Sequence, residues 1–251
     1  MPKFFVNNNQ INNNIITVIG DDVKHISNVL RAKIGEEIQI CDINTSNNYI
    51  AGIKNIEKEK IECEIIRSIE SDTESNININ IFQGVPKSDK MELIIQKSVE
   101  LGVKQITPVQ MERCVSILKE KDAYKKIERW QKIAEVAAKQ SGRDMIPKIN
   151  SATRIKDLCE EIKKYDVIIV PYEKEENQSF KDVVDEIKGL NKEDLNIGIV
   201  IGPEGGFEDT EIEELSFAGA KVVTLGKRIL RTETVALAMT SVIMYEFGGS
   251  I

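Results

Sequence analysis

Residues 201–207 read IGPEGGF and residues 225–234 read LGKRILRTET, and these two glycine-bearing loops decide the predicted fold class. Each loop follows a short apolar run, residues 197–201 or 221–225, of the kind that fills a buried parallel strand. A predicted helix follows each loop. Because ligands of open α/β sheets bind beyond the carboxyl ends of the strands, the two loops are predicted to form one small-molecule site.

The composition of the first loop disfavours a phosphate ligand. Glycines at a helix N-terminus commonly bind phosphate through backbone N–H groups. The chain, however, has neither the Gly-Lys-Ser/Thr of a nucleotide triphosphate site nor the Gly-x-Gly-x-x-Gly of a dinucleotide fold at these loops. Glu204 also places a carboxylate inside the turn, where it repels a phosphate at close range. The sequence therefore favours a ligand that carries positive charge.

The two loops together resemble the RsmE family. The residues that carry the resemblance are Gly202-Pro203-Glu204-Gly205-Gly206 and Leu225-Gly226-x-Arg228-Ile229-Leu230-Arg231-Thr232-Glu233-Thr234. The segment 87–103 and the sequence His25-x-x-x-Val29-Leu30-Arg31 are also similar to that family. RsmE proteins are SPOUT-class methyltransferases, which use S-adenosylmethionine to methylate N3 of a uridine in the 16S ribosomal RNA of the small subunit. The resemblance implies that this chain is an enzyme with that activity.

The resemblance also implies the fold and the cofactor site. It implies an α/β fold: a SPOUT-type C-terminal domain with a trefoil knot and a mostly parallel sheet, preceded by a small PUA-like β-barrel domain. It implies S-adenosyl-L-methionine as cofactor and a homodimer as the active unit. The implied cofactor-binding residues are Pro171, Tyr172, Gly202, Pro203, Glu204, Gly205, Gly206, Leu225, Gly226 and Leu230.

Arg231 and Glu233 are the predicted catalytic residues. Methyl transfer is an in-line displacement, so placement of the acceptor nitrogen is the main task of the protein. Uracil N3 lies between two carbonyl groups, and a fixed cation stabilises the negative charge that spreads onto them as the proton leaves. Arg231 is predicted to be that cation. Glu233 or Glu204 is predicted to accept the proton, although a role in orienting the loops or the cofactor fits either glutamate equally well.

The charge of the chain bears on an RNA partner. A formal net charge of −7 is unusual for a protein that binds nucleic acid. Residues 113–148 nevertheless carry ten Lys and Arg residues against five Asp and Glu residues, a local excess of +5. A solvated helix face explains this excess equally well on charge alone. The predicted RNA-binding residues are Lys3, Arg31, Arg113 and Arg143.

Two of these four residues carry further expectations. Lys3 stands where the family pattern has Arg, and lysine keeps the charge but loses the planar fork that binds phosphate or a base in bidentate fashion. Arg143 is predicted to meet RNA or the active site, and the alternative is a surface cation at a helix C-terminus, where the helix dipole favours it.

The 251 residues, 41% of them apolar, are enough for one large or two modest domains. Residues 1–70 predict short strands with one helix over 22–31, which favours a small β-barrel or sandwich. The span resembles the PUA-like RNA-binding domain at the start of RsmE-family proteins. A polar segment, 68–76, is predicted to link it to a methyltransferase domain over 75–251. Strands and helices alternate there, which predicts a parallel sheet. Predicted helix caps are Asp89 with Glu92 and Thr210 with Glu213.

Several classes of protein are disfavoured by the sequence. It has no run of ~18 apolar residues that would span a bilayer, and its Asn-rich start does not resemble a signal peptide. We therefore expect a cytoplasmic protein without a membrane partner. Four widely spaced cysteines predict reduced thiols and no metal site. His25, the single histidine, is predicted to pack a helix or contact RNA rather than to act as a general base.

Two alternative functions remain at this point. A ribosome-assembly or RNA-binding factor without enzymatic activity would use the β domain and the basic helix and would bind RNA without a cofactor. A nucleotide-binding enzyme with a loose phosphate loop is disfavoured by Glu204 and by the missing Gly-Lys-Ser/Thr motif.

Overall fold

The computed structural model describes residues 1–70, 72–118 and 120–249, and the chain divides into two compact units. Unit 1 comprises Met1–Glu74 and Ala138–Ile146, and unit 2 comprises Ser75–Ala137 and Pro147–Ile251. The predicted domain limits, 1–70 and 75–251, stay a prediction. The membership of residues 138–146 in unit 1 was not expected, because local sequence patterns do not show which unit the end of a helix joins.

Unit 1 is built around a six-stranded sheet in the described residues. Its strands are β1 (Lys3–Val6), β2 (Ile11–Asn12), β3 (Ile15–Ile19), β4 (Glu37–Asp42), β5 (Asn48–Ile56) and β6 (Lys60–Ile69), in the order β1-β4-β5-β6-β3-β2. Neighbours are antiparallel except β1 and β4, which are parallel. Alternating residues such as Ile16 and Val18 in β3 and Ile38 and Ile40 in β4 face the core and are at most 1% exposed.

One helical segment completes the core of unit 1. Helix α1 (Asp21–Lys24) continues as a π-helical turn, His25–Val29, and together they confirm most of the helix predicted over 22–31. Val23 and Ile26 from this segment are buried in the core. The exposed ring of His25 contacts Phe4 edge-to-face, with 5.8 Å between the ring centroids.

A buried polar network holds residues 138–146 within unit 1. The side chain of Asp144 is central to this network, because its carboxylate forms an ion pair with Lys3 and accepts hydrogen bonds from Asn48 Nδ2 (2.7 Å) and Thr73 Oγ1 (2.8 Å). Lys3 Nζ also donates to the carbonyl of Gly142 at 3.1 Å. A buried charge is tolerated only when it is paired and hydrogen-bonded, and each partner here meets that condition.

Arg143 extends the same network. Its Nε and Nη2 atoms donate to Glu74 Oε1 (3.0 Å) and Oε2 (2.6 Å), a bidentate arrangement specific to guanidinium. Arg143 is 3% exposed and Lys3 is 5% exposed. These placements correct the expectation that Lys3 and Arg143 face RNA, and Arg143 is not a surface cap either. Arg31, in contrast, is exposed, with φ +54°.

Unit 2 contains a seven-stranded sheet in the described residues, and all of its pairings are parallel, as predicted for an α/β fold. Its strands are β7 (Asn78–Gly84), β8 (Gln105–Gln110), β9 (Lys148–Ile149), β10 (Thr153–Arg154), β11 (Val167–Pro171), β12 (Asn196–Ile201) and β13 (Lys221–Val223). The order is β10-β8-β7-β12-β11-β13, with β9 also paired to β8. The two-residue strands β9 and β10 were not predicted, because they are too short to show an apolar period.

Helices surround this sheet. They are α2 (Lys90–Glu100), α3 (Glu120–Ser141), α4 (Ile155–Glu161), α5 (Phe180–Lys188), α6 (Asp209–Phe217) and α7 (Thr232–Phe247). Helix α4 was not predicted, although Ile155 and Leu158 bury one face of it in the core. Helix α2 packs against α7, and the left-handed Gly102 (φ +95°) follows α2 as predicted.

The two predicted capping pairs are wrong. The Asp89 side chain makes no capping hydrogen bond, and Glu92 instead pairs with Arg129 at 2.6 Å. Helix α6 begins one residue earlier than expected, and its capping box uses Glu208 and Glu211. The side chain of Glu211 is 6% exposed and accepts hydrogen bonds from the backbone N–H groups of Glu208 (2.9 Å) and Glu112 (3.0 Å). Glu208 is therefore the N-cap residue in place of Thr210, and Glu211, in the role predicted for Glu213, also satisfies the backbone N–H of Glu112.

The strand order places the chain segments that matter for function at one edge. β12 lies between β7 and β11, and β11 also pairs with β13. Because all four strands are parallel, their carboxyl ends meet at one edge of the sheet.

A trefoil knot stays a prediction. No helix in the described part of the chain is long and apolar enough to cross a membrane.

We predict that Asp144→Ala lowers the free energy of unfolding by about 3–5 kcal/mol, because it leaves the Lys3 ammonium buried without its counter-charge. Urea unfolding followed by circular dichroism measures the change. Asp72→Ala is the matched control, since Asp72 is exposed in the same unit. We expect the control to change the free energy by less than about 0.5 kcal/mol. Equal, small losses in both variants would contradict the central role of Asp144.

Candidate active site

The first glycine loop forms a tight turn directly after β12. Gly206 N donates to the carbonyl of Pro203 at 3.0 Å, and Gly206 has φ +70°, a conformation that favours glycine. A Cβ atom at Gly206 would lie 2.9 Å from Glu173 Oε1. A Cβ atom at Gly84, the last residue of β7, would lie 2.7 Å from both N and Cδ of Pro203. The loop therefore needs glycine both within the turn and on the neighbouring strand.

The second loop connects β13 to α7. Thr224 forms an isolated bridge with Ser179, and its Oγ1 accepts a hydrogen bond from Gly226 N at 3.2 Å. Gly226 has φ +99°, and a Cβ atom added there would meet no heavy atom within 4 Å, so this glycine contributes an open, left-handed bend. Arg231 is the N-cap residue of α7, although its side chain makes no capping hydrogen bond.

Two adjoining clefts lie along these loops. One encloses about 460 Å³ and the other about 430 Å³. The first is lined by Pro171, Tyr172, Glu173, Glu175, Glu176, Thr224, Leu225, Gly226, Lys227, Arg228, Ile229, Leu230 and Val235. The second is lined by Lys90, Pro171, Glu173, Ile201, Gly202, Pro203, Glu204, Gly205, Gly206, Phe207, Ile229, Leu230, Arg231, Thr232 and Val235. The structure therefore brings together all ten residues that were predicted to bind the cofactor, and it adds Arg231 to the same second cleft.

A buried relay connects the first loop to the start of α7. Gln83 Nε2 donates to Thr232 Oγ1 at 2.8 Å, and Thr232 Oγ1 donates to the carbonyl of Gly202 at 2.7 Å. Gln83 is 0% exposed and Thr232 is 6% exposed, so both hydrogen bonds are shielded from water. This relay fixes the spacing between the glycine turn and the N-terminus of α7. Sequence reasoning missed Gln83, because nothing local links it to residues 202 and 232.

Arg113 supports the first loop from outside. Its Nε and Nη2 atoms donate to Glu208 Oε1 (2.8 Å) and Oε2 (3.0 Å), and Nη1 donates to the carbonyl of Gly205 at 3.2 Å. The predicted RNA contact of Arg113 stays a prediction, but the guanidinium is engaged with the glycine loop in this structure. A Cβ atom at Gly205 would lie 2.9 Å from Cβ of Arg113, which is why glycine is required there.

Lys90 brings two glutamates together beside the second cleft. Its Nζ atom lies 3.1 Å from Glu204 Oε1 and 3.4 Å from Glu233 Oε2. Glu204 also accepts the backbone N–H of Lys87, at 3.1 Å to Oε1 and 3.2 Å to Oε2. Partial burial alone raises the pKa of Glu204, but hydrogen bonds from the backbone and from Lys90 outweigh it and lower this pKa. Glu204 is therefore ionised at neutral pH.

The two predicted catalytic residues occupy different positions. Arg231 lines the second cleft and is exposed, and no carboxylate pairs with its guanidinium among the residues that the structure describes. Glu233 does not line either cleft. Its Oε2 atom is buried, makes no hydrogen bond and faces Lys90. Lys90 was not predicted as a site residue, since in the sequence it stands among the residues that open an ordinary core helix.

The cysteines lie outside the site and are poorly reactive. Cys41, Cys63 and Cys114 are buried as free thiols. Burial raises the pKa of Cys41 to about 11 and that of Cys63 to about 12, and it also raises the pKa of Cys114. At neutral pH these thiols stay protonated and are not nucleophiles. The described residues contain no cluster of three or more His, Cys, Asp or Glu side chains that suits a metal ion.

We predict that Thr232→Val destabilises the protein by about 1–3 kcal/mol, because it leaves one N–H of the buried Gln83 amide and the Gly202 carbonyl without a partner at nearly unchanged side-chain volume. The other N–H of that amide keeps its hydrogen bond to the carbonyl of Gly84 at 3.0 Å. Chemical denaturation measures the loss. Thr234→Val, two residues along the same helix at an exposed position, is the control. An equal effect of both substitutions would show that the relay is unimportant.

Comparison with known proteins accounts for most of the chain. A family described as "RNA methyltransferase domain" matches residues 73–244, and one described as "RNA methyltransferase PUA domain" matches residues 18–66. The ribosomal RNA small subunit methyltransferase E of Bacillus subtilis is 36% identical over 230 residues, which cover 92% of this chain and 90% of that protein. The enzyme of the same name from Mesomycoplasma hyopneumoniae is 35% identical over 237 residues, which cover 94% of this chain and 96% of that protein.

Solved structures show the same similarity. The ribosomal RNA small subunit methyltransferase E of Neisseria gonorrhoeae, bound to S-adenosyl methionine, aligns with a TM-score of 0.86 at 32% identity and covers 99% of this chain and 98% of its own. A Legionella pneumophila methyltransferase in complex with the same cofactor aligns with a TM-score of 0.86 at 28% identity, covering 97% of this chain and 96% of its own. The fold, the extent of the match and the shared sequence agree: this chain is an RNA methyltransferase that belongs to the RsmE family.

Proposed function

We propose that this protein transfers the methyl group of S-adenosylmethionine to N3 of a uridine in the 16S ribosomal RNA of the small subunit. The observation that carries the proposal is the convergence of both glycine loops and the end of β11 on two adjoining clefts, with Arg231 in one of them. Two relatives whose names state the small-subunit RNA substrate support the choice of substrate. The PUA-type sequence of residues 18–66 supports an RNA partner.

The clefts suit S-adenosylmethionine in size and charge. Volumes of about 460 and 430 Å³ lie within the range of ~300–1,000 Å³ that is typical of small-molecule sites. Carboxylates from Glu173, Glu175 and Glu176 line the first cleft together with the cations Lys227 and Arg228, and Glu173 also lines the second cleft. Negative side chains at these positions suit a ligand that carries a sulfonium and an ammonium group. The open bend at Gly226 gives the ligand access to backbone groups of the second loop.

The residues of the second cleft perform the remaining tasks. When bound, the cofactor supplies an electrophilic methyl group. Arg231 places a fixed positive charge where the uracil carbonyl oxygens become negative as N3 loses its proton. Glu204 is ionised and lines the same cleft, and we propose it, rather than Glu173 of the same lining, as the carboxylate that accepts this proton, since it belongs to the glycine turn that resembles the family motif. The rigid sheet edge and the Gln83–Thr232–Gly202 relay keep these groups in register, which lowers the entropic cost of reaching the reactive geometry.

The setting of the reaction follows from its substrate. We infer that the protein works in the cytoplasm, where ribosomal subunits are found, and that it binds the small subunit or its 16S RNA. Arg31 is exposed in unit 1 and keeps its proposed RNA contact, whereas the buried ion pairs of Lys3 and Arg143 give these two side chains a structural role.

We predict that Arg231→Ala lowers the turnover number for methyl transfer about 100-fold or more, because it removes the fixed cation from the transition state. Transfer of labelled methyl from S-adenosylmethionine to small ribosomal subunits, followed by mapping of the modified base, measures it. Calorimetric titration should show nearly unchanged cofactor affinity. Arg154→Ala, an exposed position outside both clefts, is the matched control and should keep normal turnover. Near-normal turnover of the Arg231 variant would exclude this role.

We further propose that the active unit is a homodimer formed through α7. Val242 is 40% exposed and Tyr245 is 76% exposed, and the two side chains stand three residues apart on one face of α7. Isolated exposed residues are common, but two large side chains on successive positions of one helix face favour an interface. We predict that Val242→Glu with Tyr245→Glu yields a monomer in sedimentation experiments on a dimeric wild-type protein. A monomeric wild-type protein, or a dimeric double variant, would contradict the proposal.

A further inference from the structure

Lys90 stands between two carboxylates that come from different elements of unit 2. Glu204 belongs to the glycine turn after β12, and Glu233 belongs to the first turn of α7. The Lys90 side chain, which opens α2, is 32% exposed, whereas the side chains of Glu204 and Glu233 are 25% and 16% exposed. Such half-buried ion pairs are screened less by water and salt than pairs on an open surface. Lys90 therefore adds a charged contact that joins all three elements.

The two carboxylates are held in different ways. Both oxygens of Glu204 accept the backbone N–H of Lys87, and Oε1 also faces Lys90 at 3.1 Å. Glu233 Oε2 makes no hydrogen bond, and Lys90 Nζ at 3.4 Å is its charged neighbour. A buried carboxylate oxygen without a hydrogen bond is costly and calls for an explanation. A role in anchoring the Lys90 ammonium supplies that explanation.

The surrounding elements contain few other charges that reach this group. Helix α2 carries Glu92, which pairs with Arg129, and Lys97, which pairs with Glu100. Strand β12 packs against α7 and carries no ionisable side chain between Asn196 and Ile201. Arg231 and Glu173 line the same cleft as Glu204, but among the described residues Lys90 is the cation that pairs with Glu204 and Glu233. Without its ammonium, two carboxylates would repel each other beside the cleft.

We propose that Lys90 is a positioning residue for methyl transfer: the half-buried carboxylate of Glu233 anchors its ammonium, which in turn fixes the carboxylate of Glu204 at the cleft that holds Arg231. This inference rests on the proposed function. Glu204 then accepts the N3 proton as the N3–H bond breaks. The electron pair left on N3 forms the bond to the methyl carbon, and the sulfur keeps the pair of the S–CH3 bond. In this arrangement Glu233 holds Lys90, Lys90 holds Glu204, and Glu233 does not touch the substrate.

The kinetic test compares Lys90→Met, Lys90→Arg, Glu233→Gln and Glu204→Gln in methyl transfer to small ribosomal subunits. We expect Lys90→Met and Glu233→Gln each to lower kcat about tenfold, with KM and the cofactor Kd within about threefold of wild type. The combined Lys90→Met and Glu233→Gln variant should be no slower than Lys90→Met alone, because the two residues act in series. Glu204→Gln should lose about 100-fold, and Lys90→Arg should restore most of kcat.

Lys97→Met is the matched control, since it removes a lysine of the same helix whose partner, Glu100, lies outside the clefts. We expect it to keep wild-type kcat. A larger loss in Glu233→Gln than in Glu204→Gln would make Glu233 the proton acceptor and overturn the proposal. Unchanged kcat in Lys90→Met, or an equal loss of kcat and cofactor affinity, would also overturn it.

A second measurement does not depend on activity. The ¹⁵Nζ resonance of Lys90, assigned by its absence in Lys90→Met, should shift in Glu204→Gln and again in Glu233→Gln. An unchanged chemical shift of this resonance in Glu233→Gln would show that Glu233 does not anchor the Lys90 ammonium and would overturn the proposal. If the wild-type protein transfers no methyl group to small subunits or to naked 16S RNA, the proposed function fails together with the role of Lys90. Wild-type transfer with an unimpaired Lys90→Met variant refutes the role of Lys90 alone.

Discussion

The parallel pairing of β7, β12, β11 and β13 is the constraint on which the rest of unit 2 depends. Parallel strands put their carboxyl ends at one edge, so the segments that follow them are forced into contact. At this edge the backbone of β7 comes so close to Pro203 that a Cβ atom at Gly84 would lie 2.7 Å from its nitrogen. Glycine is thus a packing requirement here before it is a feature of ligand binding.

Buried hydrogen bonds convert this crowded edge into a defined site. The relay from Gln83 through Thr232 to Gly202 joins the central strand, the last helix and the glycine turn. Around it, Arg113 holds the outer side of the turn, and Lys90 holds the side that faces α7. The contacts that join these elements are hydrogen bonds and ion pairs, whereas Gln83 Oε1 and Glu233 Oε2 are buried without a hydrogen bond. The clefts owe their shape to these contacts as much as to the loops.

In unit 1, buried ion pairs likewise join distant segments, and there they attach residues 138–146 to the rest of the unit. Its hydrophobic core comes from alternating strand residues and is readable from the sequence. The attachment of residues 138–146, in contrast, depends on Asp144, whose carboxylate has three partners distant in sequence. The positive charges of Lys3 and Arg143 suggested RNA binding, yet both side chains are buried in ion pairs of this network. Charge in a sequence indicates where a cation is, but burial decides whether a ligand can reach it.

The sequence by itself determined the order of most strands and helices, the parallel class of the second sheet and the two glycine loops, because apolar periodicity and glycine turns act over neighbouring residues. It also carried the family resemblance that the comparisons confirmed. Only the tertiary structure decided which charged residues are free to act. Lys90 and Gln83 lie far in sequence from the loops that they contact, and Glu233, a predicted catalytic residue, lies beside Lys90 and lines neither cleft. Such pairings depend on long-range contacts, which no local pattern encodes.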